Sequence, residues 1–136
     1  VMPYFVGDIL ELPVTTIQDY SLFNILETYS LDLWSAQIDQ IMQQHGLISF
    51  IVHPDYLDKL EAKAAYTALL YKLATLRAEA GLWIALPGEV DEWWRQRNQM
   101  TLVPNEDEWK IEGYGAERAR VAYATLENNR LTYTFV

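Results

Sequence analysis

The sequence predicts an α/β domain with three to four mainly parallel strands, flanking helices and a C-terminal β-hairpin. Three observations predict it. Two short unbroken apolar runs, "LISFIV" (47–52) and "LWIAL" (82–86), have the pattern of strands covered on both faces. Stretches with helical spacing alternate with those runs, which implies right-handed crossovers between parallel strands. The tail "ARVAYATLENNRLTYTFV" then changes to a period of two.

The elements follow in chain order. "ILELPVTT" (9–16) reads as a strand, and Pro13 argues for an edge or a bulge. A polar and aromatic loop, "IQDYSLFNILETYS", comes next. "LDLWSAQIDQIMQQH" (31–45) predicts a helix with Leu31, Trp34, Ile38, Ile41, Met42 and His45 on one stripe. Ser30 is placed to cap its start, and Gly46 to end it in the left-handed conformation. After the strand 47–52, a long helix is expected over about 58–80. Its buried stripe would be Tyr66, Leu69, Leu70, Leu73, Leu76 and Ala80, and Gly81 would stop it.

The strand 82–86 is broken by Pro87-Gly88, and "EVDEWWRQRNQM" (89–100) predicts a third helix. Its acids Glu89, Asp91 and Glu92 come first and Arg95 and Arg97 later, which complements the helix dipole. A short strand "TLV" closes this α/β region at 103. Residues 104–136 then form a connector, 104–118, followed by a hairpin whose turn is Asn128-Asn129.

The totals narrow the function. The chain has 136 residues, 51% hydrophobic and 21% charged, which suits one ordinary domain with a sizeable core. No apolar run approaches the ~20 residues that span a bilayer, so no membrane partner is expected. The N-terminus lacks a basic segment followed by an apolar stretch, and its abrupt start on Val1 suggests a longer parent chain. The net charge of −9 and the lack of basic runs disfavour nucleic acid. Cysteine is absent, which excludes disulfides and thiolate metal sites and is neutral about compartment.

In a parallel α/β sheet the chemistry collects at the carboxyl ends of strands. His53, at the end of "LISFIVH", is the sharpest candidate there, because an imidazole can donate a proton to a leaving group near neutral pH. Pro54 biases it toward an extended backbone. The same position also suits a histidine hydrogen-bonded to backbone. Asp19 follows the first strand. A carboxylate there can orient an imidazole or ligate a metal, but taken alone it reads first as a loop aspartate supporting a turn.

His45 reads as structural at its helix end, and Asp55 as a helix-start residue. Two histidines and no cysteine disfavour a complete metal site within the chain. Trp93-Trp94 invites a sugar-stacking role. However, adjacent helical residues point ~100° apart, so the expected arrangement has one ring under the helix and the other over neighbouring surface. No phosphate loop, GxSxG elbow or HExxH motif occurs.

"ILELPVTTIQDYSLFNIL", the helix with "DLW", "GLISFIVHPDYL" and "LWIALPGEVDEWWRQRNQM", in that order, resemble the C-terminal part of NodB-type polysaccharide deacetylases, over roughly residues 3–103. The resemblance implies a partial (β/α) barrel and hydrolysis of N-acetyl groups on a carbohydrate by a divalent metal such as zinc. It places His53 of "FIVHP" as the acid that protonates the departing amine. It sets Asp19, at lower weight, near the carboxylate that orients His53, and offers a further match at Asp32 and Trp34. The family's T-F-D-D and H-x-x-x-H motifs are absent, so base and metal ligands would lie upstream of Val1 in a full-length protein. The resemblance therefore implies a fragment that is inactive by itself, with a carbohydrate substrate and a metal only in the full-length chain. Open sheet edges would favour a homo-oligomer or a partner fragment of the same protein. The rival expectation is a non-catalytic glycan- or protein-binding module.

Overall fold

A computed structural model describes residues 1–106 and 108–136. The chain divides into two compact units, Val1–Ile84 and Ala85–Val136.

The first unit opens with a small antiparallel hairpin, β1 (Tyr4–Val6) and β2 (Ile9–Glu11), in the register Phe5 to Leu10. Its two-residue turn has Gly7 at φ 60°, a conformation open to glycine at little cost. A single π turn spans Ser21–Ile25. It precedes α1 (Asp32–Gln43), a 3₁₀ turn (Pro54–Leu57) and α2 (Leu60–Glu79).

The core is one cluster of Leu22, Phe23, Trp34, Ile38, Ala62, Ala65 and Leu69. Burying side chains such as Trp34, Ile38 and Leu69 contributes roughly 1.5–3 kcal/mol each. The Trp34 indole lies edge-on to Phe23 and to Phe50, at centroid distances of 5.7 and 6.1 Å. Its Nε1 donates to the Ile17 carbonyl at 2.8 Å, which satisfies the one polar atom of the ring.

Of the predicted stripe α2 buries Leu69 and packs Tyr66, Leu73 and Leu76 half-buried against the core; it also buries Ala62 and Ala65, while Leu70, Tyr71 and Ala80 lie exposed. Apolar residues surround this helix, so periodicity alone does not select the buried face. At the end of α1 the left-handed residue is His45, with φ 51°, and not Gly46. Gly46 is required for space instead. A Cβ there would stand 2.8 Å from the Val1 carbonyl oxygen and 2.9 Å from Ile41 Cγ2. Gly81 does adopt φ 68° after α2.

The second unit contains α3 (Pro87–Asn98), β3 (Thr101–Asn105), β4 (Glu108–Glu112), β5 (Ala122–Glu127) and β6 (Arg130–Phe135). Glu89 reaches back to the Leu86 N–H at 2.6 Å and Pro87 occupies the first turn, so the start of α3 is locally specified. β3 pairs antiparallel with β4, and β5 with β6. The segment expected to be a connector therefore contains a strand. Asn128 and Asn129, at φ 48° and 63°, make the two-residue turn of the last hairpin. Trp93 and Trp94 are both half-buried, with Arg118 over the first ring at 4.3 Å and Arg97 over the second at 4.6 Å.

Among the described residues the parallel sheet and partial barrel are not present. Every described strand belongs to one of three antiparallel two-stranded sheets. Residues 47–52 and 82–86 lack strand pairing. Segment 47–52 is linked to residues 13–19 mainly through side chains. Ser49 Oγ donates to the Pro13 carbonyl at 2.6 Å, and Thr16 Oγ1 donates to the Ser49 carbonyl at 2.8 Å. Bonds through hydroxyls do not build the evenly spaced backbone ladder of a parallel pair. In 82–86, Trp83 and Ile84 are about half exposed, at 50% and 51%, so this run is not covered on two faces as its composition predicts.

Candidate functional site

The first unit brings Asp19 and His53 together across 34 residues of sequence. His53 ends the extended segment with φ −105° and ψ 127°, and Pro54 starts the 3₁₀ turn immediately after it. Asp19 lies beside it because the Asp19 N–H donates to the Ile51 carbonyl at 3.4 Å, two residues before the histidine.

The Asp19 side chain is fully buried and each of its oxygens is used. Oδ2 accepts the backbone N–H of His53. Oδ1 accepts the N–H of Tyr20 at 2.8 Å and lies 2.8 Å from His53 Nδ1. Three donors compensate the removal of this carboxylate from water. An ionised carboxylate can only accept, so Nδ1 carries the proton and Nε2 remains for chemistry. The imidazole is 45% accessible while its partner is wholly enclosed. An orienting carboxylate behind a reachable imidazole suits proton transfer to or from a bound molecule.

Two tyrosines that the sequence reading passes over complete the surroundings. The ring of Tyr56 lies 5.0 Å from that of His53, and the ring of Tyr20 lies 5.5 Å from Tyr56. Their signal is present in the sequence. Tyr56 follows His53 by three residues, and in a 3₁₀ turn side chains at that spacing eclipse. Its N–H donates to the His53 carbonyl at 3.1 Å, which closes the turn. Tyr20 is next to Asp19 in sequence and is exposed at its own ring. Tyr56 sets flat, amphipathic surface beside the imidazole, and Tyr20 extends that surface on from Tyr56.

The other residues singled out from sequence have settings of their own. Asp32 is an exposed residue in the first turn of α1, and Trp34 is sealed in the core. His45 is exposed at the end of α1, and Asp55 sits exposed in the first turn of the 3₁₀ segment. Among the described residues, no group of three or more His, Asp or Glu side chains is placed to hold a metal ion. The donor set for the divalent metal implied by the resemblance is therefore not assembled by these residues. Also among the described residues, no helix is long and apolar enough to cross a membrane.

No protein-family model, no curated protein and no solved structure matches this chain.

Proposed function

We propose that this chain carries the proton-donating half of a carbohydrate N-deacetylase site. The observation that supports this reading most is the double grip of Asp19 on His53, at the ring and at the backbone, with the imidazole left accessible. The resemblance at "FIVHP" supplies the substrate class, an N-acetylated sugar. Tyr20 and Tyr56 add surface of the kind that sugar rings pack against.

In this reading, water adds to the acetyl carbonyl with the help of groups supplied from outside this chain, on a further segment or a partner fragment of the same protein. The C–N bond then breaks. The departing nitrogen takes the proton from Nε2 of the imidazolium, leaving a free amine, a neutral imidazole and acetic acid that ionises to acetate, while the proton water sheds on adding goes to a base among those outside groups. Asp19 keeps the ring in the correct tautomer and orientation while its charge changes.

Acetate release from an N-acetylated oligosaccharide tests this in the longest native form of the protein. His53→Ala should lower turnover by about 10²–10⁴-fold with little change in KM. An unchanged turnover would remove the assigned role. The second reading is a non-catalytic glycan- or protein-binding module. Tyr20 and Tyr56 favour it, since a ring platform serves binding without chemistry. That reading gains if His53→Ala leaves sugar binding intact and no acetate is released by the parent protein.

A further inference from the structure

The segments that hold Asp19 and His53 continue into a second feature. Phe23, Asn24, Glu27, Tyr29 and Lys59 line an open cleft of about 360 Å³. This volume lies in the range of small-molecule sites. The floor is preorganised. Phe23 stacks on Tyr29 at a centroid distance of 5.4 Å and an angle of 12°. The Tyr29 hydroxyl donates to the Phe23 carbonyl at 3.4 Å and accepts from Lys59 Nζ at 3.0 Å. Glu27 adopts φ 49°, a left-handed conformation that is costly for a residue with a Cβ. The bonds Leu26 N–H to Ser21 carbonyl (2.9 Å) and Thr28 N–H to Leu22 carbonyl (3.0 Å) hold the backbone on either side of it. Backbone strain held in this way is concentrated at functional positions.

We propose that this cleft binds a pyranose ring of an uncharged glycan, as a subsite beside the sugar handled at His53; it rests on the deacetylase reading above. The wall chemistry selects the ligand class. An ammonium, an amide and a carboxylate face one small space, so a ligand must offer donors and acceptors together, as sugar hydroxyls do. A phosphate or other anion would meet the Glu27 carboxylate, and the chain's net charge of −9 opposes it further. An apolar ligand would take water from Asn24, Glu27 and Lys59 and offer them no hydrogen bond in its place. The spacing also fits a polymer. Six residues separate His53 from Lys59, four of them in the compact 3₁₀ turn, so the two features lie within roughly 20 Å along the chain.

The experiment titrates the protein with the uncharged tetrasaccharide of β-1,4-linked N-acetylglucosamine and follows resonances of Lys59, Tyr29, Tyr56 and the His53 ring. Movement at both sets of resonances, together with a roughly tenfold weaker Kd in Glu27→Gln, supports the subsite. Lys59→Met should weaken binding similarly and provides a second variant. Movement at His53 and Tyr56 alone overturns the subsite and leaves the deacetylase reading standing. Movement at Lys59 and Tyr29 alone supports the cleft as a sugar site and removes its connection to His53. A Kd unaffected by both substitutions overturns the proposal.

Discussion

Thr15 and Ser49 exchange hydrogen bonds reciprocally. The Thr15 N–H donates to Ser49 Oγ at 3.1 Å, and the Ser49 N–H donates to Thr15 Oγ1 at 2.9 Å. Each hydroxyl stands where a neighbouring strand's carbonyl would stand in a sheet. Since Ser49 Oγ also donates to Pro13, one side chain ties two extended segments together. Ser49→Ala should therefore lower stability by about 1–3 kcal/mol, because it leaves partly buried backbone groups without partners. Urea denaturation of the two proteins checks this, and a loss below about 0.5 kcal/mol, the range of ordinary surface changes, would contradict it.

Asp19→Asn keeps the shape of the side chain and removes its charge. The amide can accept from the His53 backbone or ring, but its NH₂ group competes for the same space. The His53 ring should lose its fixed preference for a proton on Nδ1, visible as a changed tautomer pattern in long-range ¹H–¹⁵N spectra. Stability should fall by about 1–3 kcal/mol, since donors that face a buried carboxylate are left poorly paired. An unchanged tautomer would show that Asp19 does not orient the ring.

Two glycines should respond in opposite directions. At Gly46 an added methyl would meet the Val1 carbonyl oxygen and Ile41 at under 3 Å, so Gly46→Ala should cost about 1–3 kcal/mol. At Gly88, in the first turn of α3, nothing lies within 4 Å of an added Cβ. Gly88→Ala should gain up to about 1 kcal/mol through reduced backbone freedom in the unfolded chain. Parallel urea melts decide both.

Trp34→Ala should be among the most destabilising substitutions, at about 3–5 kcal/mol, because it opens a large cavity and leaves the Ile17 carbonyl without its donor. A cost near that of a surface change would mean that the core cluster is not organised around this ring.

Lys59 has its pKa raised above the ordinary 10.5, first by the hydrogen bond to Tyr29 and then by the nearby charges of Tyr29, Glu27 and Glu61. A raised folded-state value gives stability that is complete below the unfolded pKa and is lost as pH rises through the folded one. The wild type should therefore lose a small stabilisation above about pH 10.5, and Lys59→Met should lack that step. Denaturant midpoints between pH 9 and 12 provide the comparison.

The helices were legible in the sequence because their signals are local. Asp32–Gln43 and Pro87–Asn98 each fall within two residues of the predicted spans, and Leu60–Glu79 lies inside its own. Trp34, Ile38 and Ile41 recur at helical spacing, and Pro87 and Glu89 mark a start. The sheet was not legible because strand pairing is a non-local property. "LISFIV" has the composition of a doubly covered strand, yet its Ser49 backbone is paired with the hydroxyls of Thr15 and Thr16. The candidate site shows the same division. The positions of Asp19 and His53 after apolar runs can be read from sequence, whereas the 2.8 Å contact between them depends on how residues 13–19 lie against 47–52. Tyr56 carried a local signal in its three-residue spacing from His53, and Tyr20 in its place next to Asp19, and both were obscured by the other aromatic residues in the chain.

The final hairpin has a further consequence. Each residue of β5 and β6 is exposed, and no third strand joins the pair among the described residues. A lone ribbon of this kind gains little from burial and opens at low cost. In a deuterium-labelling time course its amides should fill within the earliest points, while those of α1 around Ile38 should still retain hydrogen long afterwards.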